Sequence, residues 1–210
     1  MPNGEITMNR IIIGLEAHDG SGKSTTAKEI AALFKGQVFF TKDEMKERRG
    51  PVYSSEMNQK EKMGKIEQTY IQESLDCSDE TKNASFVILD RTWLSHSVEE
   101  NVRNKLDDNI EPFYADRTIP DGVTKPDLIF QILIDEQERL TRIAERKEPL
   151  SKRDHRLNDE PLYRQALEKE RTAYGCIPLR LRLRDPKVCA LRAAQVLLGS
   201  EKIPPLKMKL

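Results

Sequence analysis

Short apolar runs alternate along this chain with stretches whose apolar positions recur every three or four residues. "RIIIGLE" (10–16) is β-branched and of strand length, so it reads as a buried strand. A helix is predicted from Lys23 to about Lys35, and "QVFFT" (37–41) reads as a second strand. Residues 54–83 carry Met57, Met63, Ile66, Tyr70 and Leu75 at roughly helical spacing and read as helix, with room for a break. "FVILD" (86–90) is a third strand and residues 93–107 a helix. "DLIFQILI" (127–134) is a fourth strand, and a charged helix follows it to about Lys147. A polar, basic stretch (148–158) then leads into a helix at 161–174. "LRLRLR" (179–184) alternates strictly, as a strand with one buried face does, which suits an edge position. The last helix is predicted at 186–198, and the tail from 199 to 210 reads as loosely held.

Strand–helix alternation implies right-handed crossovers and a parallel sheet covered on both faces, an α/β fold. No internal repeat or interdomain linker interrupts it, and the Pro-containing stretch 109–126 reads as an excursion loop. A length of 210 residues, 37% of them hydrophobic, suits one domain (1–210) with its own core. Lys+Arg and Asp+Glu number 35 each, so the net charge of zero gives no support to nucleic-acid binding. Cys77, Cys176 and Cys189 lie far apart, forming neither a metal-type pair nor a disulfide framework, which points to a reducing compartment. "MPNGEITMNR" has no apolar signal region, and no apolar run approaches the roughly 20 residues needed to span a bilayer. The expectation is a soluble, cytoplasmic protein with no membrane partner.

The densest chemistry lies in "GLEAHDGSGKSTTAKEI" (14–30). A strand, a glycine-rich turn and then Gly-Lys-Ser opening a helix form a cradle for phosphate. Glycines let backbone N–H groups converge, and the helix N-terminus adds its dipole. The predicted cradle is Asp19, Gly20, Ser21, Gly22, Lys23, Ser24 and Thr25. Lys23 would reach the outer phosphates and Ser24 would bind Mg²⁺. Ala17 stands where the usual pattern opens with glycine; a small residue of negative φ still permits the turn.

Such a loop serves phosphotransferases and nucleotide switches alike. "NKLD" (104–107) resembles a guanine-reading motif, but "SVEENVR" before it reads as helix, and no Asp-x-x-Gly follows the third strand. In contrast, "LDRTW" ends the third strand, and a residue at the carboxyl end of a parallel strand faces the ligand crevice. Asp90 there is placed to hold Mg²⁺ or accept a proton, and Arg91 to grip a phosphate with its planar fork.

With "FVILDRTWLSHS", "KPDLIFQILIDEQERLTRIAERK" and the "Y…ERTAY" helix added to the phosphate loop, the chain resembles the thymidylate kinase family of phosphate-loop kinases. The resemblance covers most of the chain and is weakest between 42 and 80. It implies a P-loop NTPase fold, a five-stranded parallel sheet of order 2-3-1-4-5 with a lid near 146–158. It also implies transfer of the γ-phosphate of ATP, with Mg²⁺, to a nucleoside monophosphate. Asp19 falls where that family keeps an acidic residue near the acceptor sugar. Lys42 falls near its Arg-Glu-Pro-Gly segment, the Pro-Gly part being absent here. Tyr70 falls where an aromatic ring stacks on the base, and Ser74 where the family has a base-reading arginine. Gln72 could instead make a bidentate base contact. The acceptor is then a nucleotide-like small molecule, with a nucleoside or other small metabolite as the alternative. Members of the family are commonly homodimers, and the helices at 54–83 and 93–107 carry apolar residues that would allow this.

Phosphoryl transfer also needs an arginine near the moving group and exclusion of water. Arg139, Arg142 and Arg146 share one helix face, with Lys147, Arg153 and Arg156 following. They form either a basic stripe toward the triphosphate, with Arg142 and Arg146 the expected contacts, or a solvated helix balanced by Glu136, Glu138, Glu145 and Glu148. Arg48 and Arg49 would hold the acceptor's phosphate from the loop after the second strand, or form a surface charge run. His18 is a candidate to face the acceptor, His96 reads as a helix-face residue, and Trp93 is placed in or beneath the acceptor pocket. The loop at 182–188 lies against adenine in related kinases.

Overall fold

A computed structural model describes residues 10–108, 111–146, 152–181 and 185–201. Five strands, β1 (Ile11–Ala17), β2 (Gln37–Phe40), β3 (Phe86–Asp90), β4 (Leu128–Ile134) and β5 (Ile177–Leu181), form one sheet of order β2-β3-β1-β4-β5. Every pairing is parallel. Central strands of a parallel sheet are covered on both faces, so they read as continuous apolar runs. Ile11, Ile13 and Leu15 of β1 are buried accordingly, as are all five residues of β3.

Helices α1 (Lys23–Phe34) and α8 (Pro186–Leu198) pack together on one face, where Ile30, Phe34, Ala190 and Leu197 meet Ile13, Phe86 and Phe130. Pro186 opens α8, and Asp185 caps it by accepting from Lys187 N at 2.8 Å. The opposite face is covered by α4 (Leu94–Arg103) and α7 (Pro161–Ala173), with Leu94, Val98, Val102, Tyr163 and Leu167 buried between them. A third cluster joins Met63, Ile66 and Tyr70 of α3 (Gln59–Glu80) to Trp93, Tyr114 and Val123.

Four elements differ from the expectation. Helix α2 (Asp43–Tyr53) occupies the region read as a loop, and its Gly50-Pro51 pair, which punctuates sequence patterns, falls in the last turn. The helix predicted from 54 begins at Gln59, where Asn58 accepts from Glu61 N at 3.0 Å. As expected, "NKLD" is helix and not a strand-end motif: α4 passes into a π-helical turn at Asn104–Asp108. Within the predicted lid, α5 (Glu136–Arg146) ends and a short helix α6 (Lys152–Asp159) replaces the expected irregular stretch. The 147–151 part of the predicted lid, the 182–184 part of the loop before α8 and the tail from 202 lie outside the described residues. The fifth strand begins at Ile177, two residues before the predicted run, and Pro178 is tolerated because β5 is an edge.

The chain leaves β1 and crosses to β2 and β3 on one side, while β4 and β5 extend the other. This reversal makes a crevice at the carboxyl ends of β1 and β3, where ligands bind in open α/β sheets.

Candidate active site

The turn from β1 into α1 is built on two residues of positive φ, Gly20 (+83°) and Gly22 (+77°). L-residues rarely adopt that conformation, and glycine does so freely. A Cβ on Gly20 would come within 3.0 Å of the Arg139 carbonyl, and one on Gly22 within 2.9 Å of Arg142 Nη1. Helix α5 therefore lies directly against the loop, with Arg142 overhanging it. No side chain caps α1 and no acidic residue sits in its first turn, so its leading N–H groups face the crevice without competition from a carboxylate.

Lys23, Ser24 and Asp90 converge at this point. Lys23 Nζ pairs with Asp90 Oδ1, and Ser24 Oγ donates to Asp90 Oδ2 at 2.5 Å. Burial pushes the Lys23 ammonium down to about 7, the Arg91 guanidinium acts in the same sense, and Glu16 and Asp19 oppose them. Thr25 is exposed on the first turn, and Ser21 is buried with its hydroxyl on the His18 carbonyl.

Arg91 has φ +84°, a conformation that costs a non-glycine residue of order 1–3 kcal/mol and persists only where its surroundings impose it. The surroundings do so here. Its N–H donates to the Leu15 carbonyl at 3.1 Å, and its Nη2 to Asp19 Oδ1 at 2.5 Å. The next residues are tied to Glu16, which is fully buried and accepts from Thr92 N and Thr92 Oγ1, both at 2.8 Å, and from Ser95 Oγ at 2.6 Å.

Asp19 and Arg91 stand at the rim of a cleft of about 660 Å³ between α2, α3 and α4. Lys46, Arg49, Tyr53, Tyr70, His96 and Arg103 help line it. Arg49 stacks its guanidinium 3.7 Å from the Tyr70 ring centre, pairs with Glu73 and donates to Thr69 Oγ1 at 3.0 Å. His96 meets the Tyr53 hydroxyl through Nδ1 (2.9 Å) and the Tyr114 hydroxyl through Nε2 (3.3 Å), and burial pushes its pKa down to about 3.

No protein-family model matches the chain, and no curated protein does. Among solved structures, thymidylate kinase from Candida albicans superposes with a TM-score of 0.63 at 13% identity, covering 96% of this chain and 99% of that one. Deoxyadenosine kinase from M. mycoides gives 0.55 at 19% identity, covering 90% and 100%. Thymidylate kinase from Ehrlichia chaffeensis gives 0.53 at 15% identity, covering 90% and 99%. The fold is that of the phosphate-loop kinases. At these identities the likeness is one of architecture, and the chemistry rests on the side chains themselves.

Measured against this kinase fold, the sequence-predicted residues divide. Asp19, Gly20, Gly22, Lys23, Ser24, Asp90, Arg91 and Arg142 surround the loop, and Arg49 and Tyr70 line the cleft. Lys42 does not: its Nζ is exposed and pairs with Asp76 (3.2 Å) and Glu80 (2.6 Å) on the outer side of α3. Gln72 is likewise exposed and donates to Asp76 at 3.0 Å, because it projects from the face of α3 opposite Tyr70. Trp93 is 1% exposed and lies beneath the cleft, edge-on to Tyr70. Tyr70 offers no bare stacking face, since Arg49 covers it. His18 turns away from the cleft toward Glu168 of α7, 3.5 Å off. Arg139 is buried and spent on Glu136, Asn158 and the Asp19 carbonyl, and Arg156 is held bidentately by Asp107 of the π-turn. Arg146 ends α5, but its side chain lies outside the described residues.

Sequence reasoning missed Lys46, Tyr53, Ser95, Glu100 and Arg103, gave His96 no more than a helix face, and overlooked the anchoring role of Glu16. Glu16 had a signal, a lone acid inside an apolar strand. The others face the cleft from α2 and α4, where Lys46, Arg49 and Tyr53, and His96, Glu100 and Arg103, do recur at helical spacing, but polar stripes of that kind read as solvated helix faces.

Proposed function

We infer that the protein is an ATP- and Mg²⁺-dependent kinase that phosphorylates a nucleoside monophosphate or a closely nucleotide-like acceptor. The convergence of Lys23 and Ser24 on Asp90, between the glycine loop and a cleft rimmed by Asp19 and Arg91, carries this reading. The residues fit both groups the reaction needs. The side-chain-free turns at Gly20 and Gly22 and the leading N–H groups of α1 suit phosphate oxygens. Ser24 and Asp90 would hold Mg²⁺, Asp90 directly or through water. Mg²⁺-ATP, when bound, supplies the phosphoryl group with its charge partly neutralised.

The chain's own contribution is position and charge. A phosphate beside Lys23 adds a second anion to the Asp90 carboxylate already paired with its buried ammonium, so the depressed pKa rises on binding and the cation is held against the developing negative charge. Arg142 overhangs the loop from α5, within reach of the same phosphates, and Arg146 follows one turn later. Arg91, held at the rim by its imposed backbone, exchanges the Asp19 carboxylate for a phosphate on the acceptor. Asp19 is then left to accept from a sugar hydroxyl. Asp90 is placed to take a proton if it is not occupied by the metal.

The M. mycoides deoxyadenosine kinase of the same fold was solved with dCMP and dCDP as products. A monophosphate product corresponds to a nucleoside acceptor and a diphosphate product to a monophosphate acceptor, so the nucleoside alternative stands beside the monophosphate. One panel decides. Purified protein, ATP and Mg²⁺ are combined with each common nucleoside and nucleoside monophosphate, and ADP release is read above the rate without acceptor. Consumption of monophosphates supports the reading. Consumption of nucleosides alone removes Arg91 as a phosphate anchor, and slow hydrolysis indifferent to every acceptor removes the kinase reading in favour of a switch.

A further inference from the structure

Arg139 belongs to the predicted basic stripe of α5, yet it is 1% exposed. A charged side chain is almost never buried so fully unless it is paired. Here the planar guanidinium is engaged by three parts of the chain. Nε and Nη2 grip Glu136, one turn earlier on α5, at 2.9 and 2.7 Å. Nη2 also donates to Asn158 Oδ1 at 2.7 Å and reaches the Leu157 carbonyl at 3.5 Å, both near the carboxyl end of α6. Nη1 donates to the Asp19 carbonyl at 3.2 Å, inside the phosphate loop.

Holding α6 does not by itself account for this arginine. With eight residues, α6 is too short to be stable alone, and the carbonyls of its last turn have no partner within the helix. Arg164 of α7 already serves that end. It donates to the Leu157 and Asn158 carbonyls at 2.5 and 3.1 Å and stands 3.4 Å from Glu136. None of these Arg164 bonds is to the phosphate loop. The bond to Asp19 is what sets Arg139 apart, and Glu136, Asn158 and Leu157 fix the guanidinium that makes it.

On the loop side, Gly20 lies against the Arg139 backbone and stem: a Cβ there would meet the Arg139 carbonyl at 3.0 Å and its Cγ at 3.1 Å. A trans peptide is planar, with its C=O and N–H pointing opposite ways. Fixing the Asp19 carbonyl on Arg139 therefore turns the Gly20 N–H to the other side of the peptide. Glycine imposes little on its own backbone, so without that bond the Asp19–Gly20 peptide is free to rotate. The Asp19 carboxylate meanwhile holds Arg91 Nη2 at 2.5 Å, so Asp19 is tied through backbone and side chain alike. We propose that Arg139 is a positioning residue, which sets the Asp19–Gly20 peptide so that the Gly20 N–H donates to a phosphate of the bound nucleotide. The role rests on the kinase reading above and extends it, because a donor aimed in advance needs no reorganisation when the phosphate arrives.

The test uses the full chain and Mg²⁺-ADP. In the parent, Mg²⁺-ADP should move the Gly20 amide proton downfield in the NMR spectrum, the mark of a hydrogen bond to phosphate. Arg139→Met keeps the length of the side chain and loses every donor. It should abolish that movement, raise the calorimetric Kd for Mg²⁺-ADP by about 10-fold and lower kcat by about 10-fold, the loss of one hydrogen bond to a charged group. Arg164→Met loosens the same end of α6 and should lower Tm, yet keep the Gly20 movement and stay within about twofold of the parent in Kd and kcat. Should Arg139→Met not fold, Arg139→Met/Glu136→Gln, which also removes the carboxylate left without its cation, takes its place with the same expectation. A parent that binds Mg²⁺-ADP with no downfield movement at Gly20 overturns the proposal without any variant. So does an Arg139→Met that matches the parent, or an Arg164→Met that loses as much, since the effect would then be that of a loosened α6. Transfer from ATP separates the outcome from the kinase reading. A parent that binds Mg²⁺-ADP through Gly20 but phosphorylates no acceptor keeps the role of Arg139 and loses the kinase. One that transfers while Arg139→Met equals it loses the role alone, and one that binds no nucleotide loses both.

Discussion

The segment that carries Arg91 is held by one carboxylate, so Glu16 is where the site can be loosened without touching a substrate group. Glu16 is fully buried at the end of β1 and accepts three hydrogen bonds, from Thr92 N, Thr92 Oγ1 and Ser95 Oγ. Replacement by alanine strands all three donors. Each stranded buried donor costs about 1–3 kcal/mol, while entering water and the relief of a buried charge return part of it, so about 3–5 kcal/mol is expected. At about 2–4 °C per kcal/mol for a chain of this size, the Tm should fall by about 6–20 °C. Glu16→Gln keeps one acceptor oxygen and the side-chain shape, and should cost about 1–2 kcal/mol. Thermal melts followed by circular dichroism read both. The left-handed backbone of Arg91 is imposed by these bonds together with its own bond to Leu15, so Glu16→Gln should also raise the acceptor KM more than it changes Tm would suggest. A Glu16→Ala variant melting within about 2 °C of the parent would show that the carboxylate does not hold this segment.

Other outcomes follow from the same geometry. Lys23→Ala should fold and lose at least about 100-fold in transfer rate, since one stabiliser of developing charge is worth roughly 3 kcal/mol; near-parental turnover removes Lys23 from the reaction. Lys42→Ala and Gln72→Ala should leave the acceptor KM within about twofold, because both side chains lie on the outer side of α3, and a larger rise in either would return them to the cleft. His18 is held neutral by burial, its pKa down to about 4 from 6.5. As pH falls through that window the unfolded chain takes up a proton that the folded chain refuses, so stability declines with acid. His18→Gln should flatten the Tm profile between pH 6.5 and 4 without abolishing its slope, since His96, down to about 3, titrates in the same sense. An unchanged profile would mean that His18 is protonated in the fold.

The sheet and the phosphate loop were legible because their constraints are local. β1, β3 and β4 are apolar but for Glu16, Asp90 and Gln131, since each is covered on both sides, and Gly20, Gly22 and Lys23 lie within one turn. Helix α2 was not legible. Only Met45 and Arg49 are buried along it, so no apolar stripe announces it, and Gly50-Pro51 argues locally for a loop. With α2 unseen, Tyr53 had no reason to meet His96, nor Arg49 to meet Tyr70.

The cleft wall on α3 was legible and misread. Tyr70 faces inward, and on a helix the residues three and four further on share its face while the residue two further on points away. Glu73 and Ser74 are therefore inside, and Gln72 is outside with Asp76. Choosing Gln72 for its amide chemistry overrode that geometry. The correction changes the character of the pocket. The wall beside Tyr70 offers a carboxylate and a hydroxyl already committed to Thr124, and the basic group near it, Arg49, arrives from α2. An amide could have met a donor or an acceptor on the ring with either end. A carboxylate can only accept, so whatever meets its open oxygen must bring an N–H or O–H donor.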